Sequence, residues 1–419
     1  MYTDPRPPLR RCRLALAASA VLIAALIVVF AAPAAATPGH RWVASWAASP
    51  VVGSHIPWSD CPAGEGLINQ TVRNVVFLSA GGSSVRVRLT NVFGTQPVKV
   101  GRASVAVQAS DANAVPGTMR SLTFRGRTSV VLPPGEAIFS DSVPLRVRSL
   151  STLLISVYVP GPTGPMTNHP FTAQGNFLAD GDRALAPTGE GYRNTPCWML
   201  IDGVDVRPSG RVRGTVVALG DSITDTSATS GNLNRRWPDF LARRLDAVRG
   251  PTLSVVNAGL GGNRLLAPRD GEPYYGVPAL ERLERDVFGQ TGIRAVIVLE
   301  GVNDIGYDAT AEELIAAYQE IIDRAHAAGL RVYGGTITPF GGSFIETESR
   351  LATWRAVNDW IRHSGQFDGV IDFAAALADP DDPTRLRAEY DSGDHLHPGD
   401  AGTEAMANAV DLRMLLRHV

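Results

Sequence analysis

The chain has 419 residues, of which 44% are hydrophobic and 19% charged, with a formal net charge of −2. That is enough apolar material for a large buried core and enough length for two or three domains. Acidic and basic residues are spread evenly, so there is no electrostatic footprint for nucleic acid and no charged tail to attract a partner of opposite sign.

The first element stands apart from the rest. Arg10, Arg11 and Arg13 precede Leu14 to Ala32, a 19-residue stretch without charge, and Ala34-Ala35-Ala36 follows with the small residues of a cleavage site. Residues 1–36 are therefore expected to be a signal peptide, which makes the protein secreted, with everything after Thr37 outside the cell. An uncleaved N-terminal anchor is the alternative, because the apolar run just reaches the ~18 to 20 residues that span a bilayer. Once the signal is removed, no stable membrane insertion is expected. Cys12 lies within the signal, leaving Cys61 and Cys197 in the mature chain. Two cysteines in an exported protein suit a disulfide. The bridge would close a loop of 136 residues, worth up to about 4 to 5 kcal/mol in the chain-entropy picture. Two unpaired thiols are the other reading, since sequence carries no distance.

From His40 to about Gly210 the pattern is that of strands. Val85, Val87 and Leu89 alternate with Arg86, Arg88 and Thr90, and Leu153, Ile155, Val157 and Val159 alternate with Ser156 and Tyr158. Turn signals recur at Gly81-Gly82, Pro133-Pro134-Gly135 and Pro160-Gly161-Pro162. Residues 40–210 are accordingly expected to form an all-β, jelly-roll-like sandwich. Its tryptophans, Trp42, Trp46, Trp58 and Trp198, are read as core residues rather than a sugar-stacking platform.

After Arg213 short apolar strands alternate with helical periodicity. The strands are predicted at Val216 to Leu219, Leu253 to Val256, Ala295 to Leu299, Val332 to Thr336 and Val370 to Ile371. The clearest helix opens on a capping box, Thr310-Ala311-Glu312-Glu313, carries Leu314, Ala317, Tyr318, Ile321, Ile322 and Ala325 at the 3.6 period, and stops at Gly329. Residues 213–419 are thus expected to be an α/β domain with a parallel sheet covered on both faces. Sites in such sheets lie at the carboxyl ends of the strands.

Those ends carry Gly220-Asp221-Ser222, then Asn257-Ala258-Gly259-Leu260-Gly261-Gly262, then Gly301-Val302-Asn303-Asp304, and after the last strand Asp394-His395-Leu396-His397-Pro398. A serine hydroxyl attacks well only when a histidine can take its proton, and a carboxylate on the far ring nitrogen fixes the tautomer. The oxyanion of acyl transfer needs donors such as a backbone N–H beside a glycine and a primary amide. Ser222, His397, Asp394, Gly262 and Asn303 can fill these roles.

Together, the four blocks GDS, NAGLGG, GVND and DHLHP resemble those of the SGNH hydrolases, also called GDSL lipases and esterases, in the order that family shows. The resemblance covers Arg213 to the C-terminus. It implies a flavodoxin-like, three-layer parallel-sheet fold and carboxylic ester hydrolysis without metal or organic cofactor. It places the nucleophile on Ser222, the base on His397 and the orienting acid on Asp394. Oxyanion donors would be the backbone N–H groups of Ser222 and Gly262 and the side chain of Asn303. The motif's leucine is Ile223 here, a change of apolar shape only. The amino half, with WVASWAASPV from Trp42 to Val51, is more loosely similar to two-domain extracellular members described as arylesterases or carbohydrate esterases. The expected partner is therefore an acylated carbohydrate or lipid.

Other readings compete. His395 and His397 with nearby carboxylates would suit a metal, but no other histidine falls near a predicted active edge: His326 and His363 belong to helices and His169 to the β half. Asp391 is the second choice as orienter of the histidine, and Asp304 is expected to make an Asx-turn. The Gly259 to Gly262 turn has the wrong spacing for a dinucleotide fingerprint, and no Gly-x-Ser-x-Gly elbow occurs. An acyltransferase using the same triad, or a noncatalytic glycan-binding protein, are the functional alternatives.

Overall fold

Alternation in the amino half is realised as paired antiparallel strands in the computed structural model, which describes residues 42–225 and 228–417. The signal segment, with Cys12 and the Ala34 to Ala36 site, lies outside the described residues. Strand Thr152–Val159 pairs with Gln70–Phe77 on one side and Arg102–Ser110 on the other, at the centre of a seven-stranded sheet. Leu153, Ile155, Val157 and Val159 face the main β core, as a period of two requires. The other face is covered too. Leu154 joins Val75, Ala106 and Phe177 in a second, smaller apolar cluster, and buried Arg73 donates to Ser156 Oγ (2.9 Å) and to the carbonyls of Ala112 and Ala186 (2.5 and 2.6 Å).

A five-stranded antiparallel sheet is built on Gly82–Thr90, whose neighbour is Ile201–Val206. Val85, Val87 and Leu89 enter the shared core. The intervening Arg86 and Arg88 reach across the strand to nearly buried Asp205 and Asp202 at 2.7 and 2.6 Å. Trp46 and Trp198 are buried and meet edge to face. Trp58 departs from the core reading: it is 59% exposed, in the loop before Cys61, with its ring against Phe171 and Tyr274. Cys61 and Cys197 are joined as a disulfide, with Cα atoms 5.8 Å apart.

The five predicted strands of the carboxyl half are present as Val212–Gly220, Thr252–Gly259, Ile293–Leu299, Arg331–Gly335 and Gly369–Ile371. All run parallel, in the order second, first, third, fourth, fifth. The order reverses beside the first strand, which makes its carboxyl end the switch point where such sheets open a crevice. Helix Ala311–Ala327 begins as its sequence requires: Thr310 Oγ1 accepts from Glu313 N–H (3.2 Å), and Glu313 Oε2 accepts from Thr310 N–H (2.9 Å). Its six apolar residues at helical spacing are the buried ones. No helix among the described residues is long and apolar enough to cross a membrane.

Strand Val43–Ala47 is the seam between the halves. Val43 and Trp46 belong to the β core, while Ala44 and Ala47 belong to the core around the parallel sheet. Ser79 Oγ then accepts from Val255 N–H at 3.1 Å, and the described residues form one compact unit.

Because the Cys61–Cys197 bridge closes a loop of 136 residues, a double Cys61→Ser, Cys197→Ser variant is expected to lose about 2 to 4 kcal/mol of unfolding free energy. Urea titration checks this. Adding reductant should move the native protein to the variant's midpoint and leave the variant where it is.

Candidate active site

Chain direction changes abruptly at the end of the first parallel strand, and Gly220 is what permits it. A Cβ there would lie 2.2 Å from Thr224 Oγ1 and 2.5 Å from Leu299 O, so no larger residue fits. A one-turn helix, Ser222–Asp225, follows immediately. It is held by Asp221, whose carbonyl accepts from Asp225 N–H (2.9 Å) and whose Oδ1 accepts from Ile223 N–H (2.9 Å).

Ser222 Oγ lies 2.9 Å from His397 Nε2, and His397 Nδ1 lies 2.6 Å from Asp394 Oδ2. The other carboxylate oxygen, Oδ1, accepts from the N–H groups of Leu396 (3.0 Å) and His397 (2.8 Å) and from Ser392 Oγ (3.1 Å). Partial burial works against charge on Asp394, but the hydrogen bonds from His397 and Leu396 outweigh it and hold this carboxyl well below its ordinary value. It is therefore an acceptor throughout the neutral range, which leaves the His397 Nδ1 proton facing Asp394 and Nε2 facing the serine.

His395 has a carboxylate of its own. Its Nδ1 lies 2.5 Å from Asp391 Oδ2, and Asp391 Oδ1 accepts from the N–H groups of Gly393 and His395. This overturns Asp391 as an alternative orienter of His397. The physical reason is backbone conformation: His395 sits at φ +61°, in the left-handed region, and the chain turns there between the two pairs. Among the described residues no group of three or more His, Cys, Asp or Glu side chains is placed to hold a metal ion.

The glycine-rich turn is stitched to the serine helix. Leu260 N–H donates to Gly220 O (3.0 Å), and Gly261 N–H to Asp225 Oδ2 (2.9 Å). Gly262, at φ +71°, lies under the ring of Tyr275, which a Cβ would meet at 2.3 Å. On its other side the turn reaches Asn303: Asn303 Nδ2 donates to Asn263 O (2.9 Å), while its Oδ1 accepts from Arg269 Nη2 (2.8 Å). The four sequence blocks thus meet at one end of the sheet.

Several groups that sequence reasoning missed hold this arrangement. Asp304 makes no Asx-turn; it is buried, and its carboxylate accepts from the N–H groups of Leu265 (2.7 Å) and Leu266 (3.0 Å), pinning the segment after the glycine turn. Burial nevertheless pushes its pKa up. Arg282, with no exposed side-chain surface, donates to Asn263 Oδ1 (2.9 Å), Ala258 O (2.7 Å), Gly220 O (3.1 Å) and Ser49 Oγ (2.9 Å). Glu300 lies 3.6 Å from it and is raised well above the ordinary carboxyl value by burial and by Asp221, against the pull of Arg282. His169, assigned to the β half and away from the site by sequence, is buried there: Nε2 is 3.0 Å from Asp225 Oδ1 and Nδ1 is 2.6 Å from Ser49 O. Asp304 lies within the third block, Glu300 directly before it and Asp225 three residues after Ser222, whereas Arg282 and His169 stand near no motif. An arginine on a short mixed segment and a lone histidine in a strand give no local signal of such a role.

An α/β unit with a serine, histidine and carboxylate in line at the carboxyl ends of its strands has the constitution of an acyl-transfer enzyme. Residues 218–405 match the GDSL-like Lipase/Acylhydrolase family. This part of the chain is a GDSL-like lipase/acylhydrolase domain, and the protein is an ester hydrolase. No curated protein matches. Similar solved structures include a lipase/acylhydrolase from Enterococcus faecalis, 22% identical over 47% of this chain and 92% of that one, with a TM-score of 0.36. The native aryl esterase of M. smegmatis is 13% identical over 47% and 95%, with a TM-score of 0.38. A family two carbohydrate esterase from Clostridium thermocellum, in complex with cellohexaose, is 14% identical over 88% and 100%, also with a TM-score of 0.38.

Two expectations about stability follow from the buried groups. His169→Ala strips the buried Asp225 carboxyl of one partner and is expected to cost about 3 kcal/mol in urea unfolding; a loss below about 0.5 kcal/mol would contradict the pairing. Asp221 has its pKa pushed up to about 7, by burial first and by Asp304, while Ile223 N–H and His397 pull it down. Between the unfolded value of about 4 and about 7 the folded state keeps a proton that the unfolded chain releases, so this group takes stability away as pH rises through that window. Asp221→Asn keeps an acceptor for Ile223 N–H. Going from pH 5 to pH 8, it is expected to lose less stability than the native protein by on the order of 2 kcal/mol. Equal losses in paired urea titrations would rule the assignment out.

Proposed function

We propose that the protein is a secreted serine ester hydrolase that cleaves acyl or acetyl esters on carbohydrates or lipids through an acyl-enzyme on Ser222. The observation that carries this reading is the unbroken line Ser222 Oγ, His397, Asp394, with separations of 2.9 and 2.6 Å. His397 Nε2 takes the hydroxyl proton as Ser222 Oγ bonds to the ester carbon. Asp394, held in its ionised form, stabilises the imidazolium. The backbone N–H groups of Ser222 and Gly262 and the amide of Asn303 receive the negative charge that develops on the carbonyl oxygen, and Arg269 on Asn303 Oδ1 fixes which edge of that amide is presented. His397 then gives its proton to the departing alcohol. Water repeats the sequence with His397 again as base, releasing the acid and restoring the hydroxyl. In this reading residues 213–419 form the catalytic domain as a three-layer sheet, and residues 40–210 form a jelly-roll-like sandwich beside it.

Ser222→Ala and His397→Ala are each expected to lower turnover of p-nitrophenyl acetate by at least about 10³-fold. His395→Ala, which breaks only the pair with Asp391, is expected to keep most of it. The reverse order between the two histidines, measured in steady state, would overturn the assignment.

A further inference from the structure

A groove of about 820 Å³ is lined by Phe171 and Trp58, and the same Phe171 ring packs on Gly261 of the glycine-rich turn. Its inner wall is Phe171, whose ring a Cβ on Gly261 would meet at 3.0 Å. Its outer wall is Trp58, 59% exposed, with ring centroid 6.5 Å from that of Phe171 and planes within 20°. On the other side Phe171 faces Tyr275 at 6.1 Å and 21°. Tyr275 in turn covers Gly262 and lies 4.1 Å below the Arg269 guanidinium that holds Asn303. A row of near-parallel rings therefore runs from solvent to the proposed oxyanion donors.

What surrounds the rings separates the two candidate substrate classes. The lining residues include five side-chain amides, among them Asn194, Asn232 and Gln174, and the carboxylates of Asp60 and Asp111. They include no lysine or arginine to meet an anionic head group, and no leucine, isoleucine, valine or methionine to enclose an acyl tail. Aromatic faces beside planar amides suit a ligand that is apolar on its ring faces and hydroxylated at its edges. Asn232 is set in place for this: its Oδ1 accepts from Gln174 Nε2 (2.8 Å) and Gly175 N–H (2.6 Å), so a loop of the catalytic half is fixed onto the β half across the groove floor.

We propose that this groove binds a neutral glycan, with a sugar ring stacked on the open face of Trp58, the edge of Phe171 beside it and hydroxyls on the amides and carboxylates, so that an ester on the glycan is delivered to Ser222. The inference rests on the ester-hydrolase reading and narrows its substrate from carbohydrate or lipid to carbohydrate. The test measures binding of ester-free sugars, which needs no turnover. The full chain is titrated with cellohexaose, xylohexaose and mannohexaose, followed by calorimetry. At least one should bind. Trp58→Ala, at an exposed position, should weaken it at least about tenfold, and Phe171→Ala should do the same. Phe344→Ala, at an exposed phenylalanine outside the groove, should leave binding unchanged. The proposal is overturned if none of the three sugars binds at about 10 mM, or if Trp58→Ala, with its native far-ultraviolet dichroism, binds as tightly as the native protein. Retention of ester hydrolysis by Ser222→Ala would instead sink the catalytic reading while leaving the sugar titrations standing.

Discussion

Arg282 carries a full positive charge under the strand ends with no exposed side-chain surface. Removing such a charge from water costs several kcal/mol, which only close hydrogen bonds and nearby carboxyls can offset. Asp286, one turn further along (3.4 Å), and Glu300 (3.6 Å) supply the carboxyls, and the remaining hydrogen bonds come from segments that meet at the site. Gly220 O belongs to the strand that delivers Ser222, Ala258 O and Asn263 Oδ1 flank the glycine turn, and Ser49 Oγ belongs to the β half. The guanidinium is rigid and planar, so satisfying it fixes the relative positions of these segments. The reactive groups above it inherit that fixed frame.

A second chain of buried polar contacts runs the same way. Ser49 O of the β half holds His169, His169 holds Asp225, and Asp225 accepts from the N–H of Gly261 beside the proposed oxyanion glycine. The amino half is therefore part of the site's support, whatever else it does. Cutting the chain near Gly210 would take Ser49 from Arg282 and His169 from Asp225 and bare one face of the core around the parallel sheet, and lost partners of buried polar groups are among the costliest losses.

Legibility followed sequence distance. The five parallel strands, the capped helix at Thr310 and the four motif blocks were readable because each signal is local: an apolar run, a cap, a turn residue. Asp394 was preferred to Asp391 only through the motif it resembles, because the geometry that separates them depends on the left-handed backbone at His395. Asp304 looked like a turn residue since its partners, the N–H groups of Leu265 and Leu266, come from another loop. Arg282 and His169 were invisible for the same reason: burial of a polar side chain is decided by what packs over it from far along the chain. Trp58 was misread in the opposite sense. A tryptophan in a β-rich segment is usually core, and only the loop geometry shows its ring left open.

The disulfide has a meaning beyond the loop it closes. Cys61 comes three residues after Trp58, and Cys197 directly follows Pro196, another residue of the groove wall. The bond thus ties the aromatic outer lip to the β framework while touching neither Ser222 nor His397. On the glycan-groove proposal, reduction of this bond would be felt at the groove lip and not directly at Ser222 or His397.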